Sequence, residues 1–235
     1  DQRIAKTRAA MQAHGLDLLI VSDPSNMNWL TGYDGWSFYV HQCVVLPLNG
    51  EPIWYGRGQD ANGALRTCFM DPANIIGYPD YYVQSTERHP MDYLSAQLTD
   101  CGLAKGVIGV EMDNYWFSAA AFMALQTHLP NATLADATAL VNWQRAVKSE
   151  AELALMRQAG KIVGRMHERI VEKVEPGIRK CDLVADIYDA ALRYDPDIAA
   201  GGAYPALVPL LPSCTDAPSP PLPWAHHPLK SGQRT

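Results

Sequence analysis

The sequence contains no CxxC pair, and none of its five cysteines, Cys43, Cys68, Cys101, Cys181 and Cys214, has a histidine at metal-ligand spacing. That excludes a zinc finger and argues against a disulfide framework, so reduced core thiols in a reducing, cytoplasmic compartment are the expectation. Long apolar runs are also missing. The longest, Leu16 to Val21 and Cys43 to Leu48, fall far short of the ~20 residues a membrane helix needs. The start, Asp1-Gln2-Arg3-Ile4, lacks the apolar stretch of a signal peptide, and the lack of an initiating Met points to native residues that precede it. There is no basic block: 19 Lys and Arg against 25 Asp and Glu leave a formal charge of -6 spread along the chain, which disfavours nucleic acid as a partner. No Walker loop, nucleophile elbow or dinucleotide fingerprint occurs.

What is present is ample apolar material, 48% of 235 residues, enough for one large domain or two smaller ones. Residues 3–14 place apolar side chains at helical spacing and end at Gly15; the strand Leu16 to Val21 follows, closed by Ser22-Asp23-Pro24. Phe38 to Leu48 and Glu51 to Tyr55 flank Asn49-Gly50, the strongest short-range hairpin signal, because both turn residues tolerate positive φ. Helical stretches at about Asp60 to Cys68, Met91 to Cys101 and Ser118 to His128 alternate with short strands at Ile75-Ile76, Val107 to Val110 and Ala132 to Leu134. The expected fold is α/β: a three-layer domain with a mixed sheet over residues 1–135.

Residues 136–148 read as a linker. From Ser149 to about Val174 a long helix is expected, with Ser149 and Glu152 forming a capping box and Leu153, Met156, Ile162, Val163, Met166, Ile170 and Val174 an apolar stripe. Pro176-Gly177 ends it, and a second amphipathic helix covers about Lys180 to Arg193. Eight prolines lie between Pro196 and Pro223. The apolar residues among them favour a pinned loop and strand over a solvated linker.

The run from Arg145 to Ala159, Arg145-Ala146-Val147-Lys148-Ser149-Glu150-Ala151-Glu152-Leu153-Ala154-Leu155-Met156-Arg157-Gln158-Ala159, resembles the segment that opens the pita-bread domain of the creatinase and Xaa-Pro aminopeptidase (prolidase) family. Asp23-Pro24 to Gly32 resembles the family's turn into a short helix ending in Leu-Thr-Gly, and Val174 to Leu183 its Pro-Gly and second-helix pattern. Within the family, Trp54 to Asp60, Ala200 to Pro205 and Leu210 to Ser213 are most similar to ectoine hydrolases. The resemblance implies a creatinase-like N-terminal domain followed, over residues 149–235, by the incomplete start of an α+β pita-bread catalytic domain. It also implies a homodimer, and a hydrolase that opens a small cyclic amidine, ectoine, to N-acetyl-diaminobutyrate. The alternatives are a metal-dependent Xaa-Pro peptidase, a creatinase, or a non-catalytic binding or dimerisation module. No cofactor is expected for the ectoine branch, whereas a peptidase would hold two divalent metal ions.

On this resemblance the main catalytic residues lie on strands beyond Thr235, so the chain ending there is expected to be inactive. No metal ligand is assigned within it. Family members of this branch carry a histidine shortly before a Trp; here that position holds Pro221, before Trp224. His226 and His227, just beyond the Trp, are the candidate acid/base residues, with a surface loop as the alternative. Tyr55, Arg57 and Asp60 follow a hairpin strand and suit polar contact with a small zwitterionic substrate, Arg57 for its carboxylate, or else form a surface salt bridge. Tyr204 and Trp224 suit cation–π contact with an amidinium, or core packing. Glu111 and Asp113, after a strand, are either functional carboxylates or caps for the helix near Ser118.

Overall fold

The structure, a computed structural model, describes residues 2–35, 37, 39–193 and 226–232. It divides into two compact units, residues 1–147 and 148–235.

The first unit opens with helix α1 (Gln2–Ala13) and strand β1 (Leu18–Val21). Helix α2 (Pro24–Thr31) follows, started by Asp23, whose side chain accepts from the Asn26 N–H, and by Pro24 in the first turn. Strands β2 (Cys43–Pro47) and β3 (Ile53–Arg57) form the antiparallel hairpin, paired Val45 to Ile53 and Cys43 to Tyr55. Gly50, at φ 112°, supplies the left-handed turn position. Helix α3 (Ala61–Thr67), β4 (Ile75–Tyr78), α4 (Pro90–Asp100), β5 (Gly106–Val110), α5 (Ala119–His128), β6 (Ala132–Asp136) and α6 (Leu140–Ala146) complete the unit.

The strands form one six-stranded mixed sheet in the order β4-β3-β2-β1-β5-β6. Only β2 runs against its neighbours β1 and β3; the other pairings are parallel. Because alternate strand residues face opposite sides, Ile20, Cys43, Val45, Tyr55, Tyr78 and Val110 pack under α4 and α5. Leu19, Val21, Val44, Leu46 and Trp54 pack on the other face, against residues of α1, α2, α3 and α6. This is the expected three-layer α/β arrangement. One departure concerns residues 136–148: instead of a linker, they contribute α6, whose Leu140 and Val141 are buried in the second of these clusters.

The topology sends the ends of the parallel strands, Val21, Arg57, Tyr78, Val110 and Asp136, to one edge of the sheet, where β2 begins. The turn after β3 lies flat on β4 there: Gly58 N–H bonds the Tyr78 carbonyl at 2.9 Å. A side chain at Gly77 would come within 2.8 Å of the Gly58 Cα, so that approach requires glycine.

The second unit pairs α7 (Glu150–Lys173) with α8 (Lys180–Leu192). The expected capping box is formed: Ser149 Oγ accepts from Glu152 N–H at 3.3 Å, and Glu152 Oε2 accepts from Ser149 N–H at 2.7 Å. Leu183, Ile187 and Leu229 make a small core with Met166, Ile170 and Ile178 around it. Among the described residues no helix is long and apolar enough to cross a membrane. Cys43, Cys68, Cys101 and Cys181 are free thiols; Cys43 is buried, but Cys101 is exposed and is not the core residue expected.

Candidate functional site at the carboxyl edge of the sheet

In open α/β sheets, ligands gather at the carboxyl ends of the strands, and the first unit places a polar cluster there. Arg57, the last residue of β3, grips Asp80 with two prongs, Nε to Oδ1 at 2.8 Å and Nη2 to Oδ2 at 3.2 Å. Its Nη1 donates to the Tyr39 hydroxyl at 3.1 Å. Hydrogen bonding to Arg57 holds the Asp80 carboxyl below the usual carboxylate range. Asp60, beside them, is pushed up by burial, with Arg57 pulling the other way.

Next to this cluster lies a cavity of about 120 Å³, lined chiefly by Tyr39, His41, Tyr78, Tyr82, Arg88 and His89. The imidazoles of His41 and His89 meet with centroids 4.6 Å apart. Burial, and then the neighbouring His89, lower His41 to about 4; burial also lowers His89. Both rings are therefore neutral at pH 7. Tyr78 donates its hydroxyl to the His41 carbonyl at 2.8 Å, fixing the approach to β2.

Of the residues expected to meet a ligand here, Arg57 and Asp60 are brought together at the edge. Tyr55 is not: it is fully buried, its hydroxyl donates to the Pro90 carbonyl, and its ring lies 5.3 Å from that of Tyr78. Burial drives its acidity far down. Tyr55 and Arg57 share a strand face, but Tyr55 sits beneath α4 while Arg57 has run past it.

Glu111 is neither exposed nor a cap for α5, which Ser118 caps itself. Its carboxylate accepts from the N–H groups of Ser22 and Asp23 at 2.7 and 2.8 Å, and from Asn26 Nδ2 at 2.6 Å. Asn26 in turn bonds Asn142 and Arg145 of α6. Burial raises the Glu111 carboxyl and these three donors oppose it. An acceptor with only donors around it is a structural tie between β5 and the start of α2.

In the second unit, His226 and His227 are exposed. His226 Nδ1 lies 3.6 Å from Cys181 Sγ, and the His227 carbonyl accepts from Lys180 N–H at 3.3 Å. Arg179 forks Asp182 at 2.7 and 2.9 Å beside them. Tyr204, Trp224 and Pro221 lie outside the described residues. Among the described residues no three His, Cys, Asp or Glu side chains converge to hold a metal ion. His41, His89, Tyr39 and Asp80 carry no spacing signal in the sequence; only the fold assembles them.

Residues 3–147 match the creatinase/prolidase N-terminal domain. Over 237 aligned residues the chain is 56% identical to an ectoine hydrolase of Halomonas elongata, covering 99% of this chain and 59% of that protein. It is 43% identical to an uncharacterized hydrolase/peptidase of Sinorhizobium fredii, over 81% of this chain and 49% of that one. A prolidase structure from Thermococcus sibiricus superposes with a TM-score of 0.75 at 15% identity, over 99% of this chain and 59% of that one. At that identity the likeness speaks for the fold alone. The chain thus spans between about half and three fifths of the length of these curated relatives.

Proposed function

Since the chain belongs to the creatinase/prolidase family through residues 3–147, we propose that the whole protein is an ectoine hydrolase acting as a homodimer. The observation that carries this reading is the 56% identity to an ectoine hydrolase across 99% of the chain. The reaction adds water to the ring carbon between the two nitrogens. One C–N bond breaks, its nitrogen leaves as an amine with a proton gained, and the other remains an amide in N-acetyl-diaminobutyrate. It calls for an acid/base group beside a carboxylate.

The first unit lines its cavity with two histidines but with no carboxylate. Its cavity of about 120 Å³ is smaller than the ~300–1,000 Å³ of ordinary ligand pockets. The polar edge therefore serves as a wall against a site completed elsewhere, with Arg57 and Tyr39 as the groups available to a zwitterion's carboxylate. His226 is the acid/base candidate in the second unit, and His227 its alternate.

Ring opening by a polypeptide of the relative's length that contains this sequence is the test. Conversion of the ectoine methyl signal to an acetyl signal in proton NMR supports the reading; a folded protein that leaves ectoine intact contradicts it. Light scattering on the same protein tests the dimer, which a monomer at micromolar concentration would refute.

A further inference from the structure

Helix α4 is capped by a histidine. Ser, Thr, Asp and Asn are the residues usually found at this position, because each offers an oxygen that stays an acceptor across the neutral range. Here His89 Nδ1 accepts from the Met91 N–H at 3.1 Å, while Asp92 Oδ2 accepts from the His89 N–H at 2.7 Å. Pro90 occupies the first turn and has no N–H to give. An imidazole can accept at Nδ1 only while neutral with its proton on Nε2. Protonation converts that acceptor to a donor aimed at another donor, and places a cation at the positive end of the helix.

The cap also closes the cavity. Arg88, His89 and Pro90 line it together with Tyr82, Val83, Gln84 and Ser85, so the 82–90 segment is one wall, its far end held by this cap and by the Tyr55 hydroxyl on the Pro90 carbonyl. Gln84 holds φ at 50°, a conformation a non-glycine residue keeps only when its surroundings impose it. Opposite stands His41, its ring against His89.

We propose that residues 82–90 form an acid-released wall, held against His41 and Tyr78 by the neutral His89 cap and freed when that imidazole takes a proton. The groups facing His89 decide the direction. His41, from the segment before β2, is itself held neutral down to about 4, so it adds burial and no charge, and its own ring bonds the Trp116 backbone. Asp92, on α4, favours protonation, but its Oδ1 is shared with His128 of α5 at 3.3 Å. Arg88 lies over the Tyr81 ring at 5.5 Å and is paired with Glu87 at 3.6 Å. Tyr55, Tyr78 and Tyr82 are uncharged. Desolvation leads this balance, so release begins below the ordinary imidazole range and not at neutral pH. The inference is independent of which substrate the whole protein hydrolyses.

Long-range nitrogen–proton NMR of the 235-residue chain tests it directly, with His89→Asn as the comparison. In the wild-type chain His89 should be the Nε2–H tautomer at pH 7.5, and the Met91 amide should lose about fivefold or more of its exchange protection as His89 takes up its proton. Asn caps equally well throughout that titration, so in H89N that loss should disappear. A His89 that titrates at or above about 6.5, an Nδ1–H tautomer, or an H89N chain with the wild-type loss of protection would each overturn the proposal.

Discussion

Arg57 and Asp80 meet in a two-pronged ion pair at the carboxyl edge, at 2.8 and 3.2 Å, because β3 and β4 are paired with Arg57 opposite Tyr78. The same guanidinium donates to Tyr39, so its fork is oriented before any ligand arrives. Lysine keeps the charge but not the fork. In Arg57→Lys the Asp80 carboxyl should therefore titrate higher than in the wild-type chain, and in Arg57→Ala higher still. Carbon NMR of the Asp80 carboxyl reads this, and equal midpoints in all three chains would contradict the assignment of its low pKa to Arg57.

Glu111 offers a stability prediction. Removing its carboxylate leaves the N–H groups of Ser22 and Asp23 and the Asn26 amide without their acceptor in a buried place. Each such loss costs roughly 1–3 kcal/mol. Glu111→Ala should destabilise the first unit by about 3 kcal/mol or more, and Glu111→Gln, which keeps one acceptor, by about 1–2 kcal/mol. Urea unfolding at pH 7.5 distinguishes them; a change below about 0.5 kcal/mol in Glu111→Ala would show that the tie is idle.

His41 predicts the acid limb of stability. Its folded value of about 4 lies below the ordinary 6.5, so between those values the unfolded chain binds a proton that the folded chain refuses. Stability consequently rises with pH through that window, is complete above it, and is lost as pH falls toward 4. The difference between pH 7.5 and 4.5 should include about 2 to 3 kcal/mol from this residue. In His41→Phe the fall should shrink by that amount, as measured by urea unfolding at both pH values. An unchanged pH dependence would mean that His41 is solvated in the folded chain.

What the sequence made legible was local. Asn49-Gly50 announced its hairpin through the one residue that accepts a φ of 112°, and Ser149 with Glu152 announced α7 through bonds three residues apart. Helix α6 was hidden for the opposite reason. It begins after Ala139 at φ 61°, which no composition rule marks as a helix start, and it is held by burial of Leu140 and Val141 against distant elements. His41 and His89 are brought together by the crossing from β4 to β5, so no spacing could pair them. The sequence puts Arg57 and Asp60 in a loop after the hairpin strand; Asp60 lies there, but Arg57 is the last residue of β3. Tyr55, two residues before Arg57 on the same face, differs only in depth, which alternation cannot report.

Substrate turnover tests the central claim most directly. A polypeptide of the relatives' length containing this sequence is to be offered ectoine, creatine and an Xaa-Pro dipeptide in separate assays, with and without a chelator of divalent metals. The 235-residue chain is run beside it. The account predicts ring opening of ectoine to N-acetyl-diaminobutyrate by the longer protein, unaffected by the chelator, and no turnover by the 235-residue chain. Cleavage of the dipeptide that is abolished by the chelator, with ectoine left intact, would contradict it.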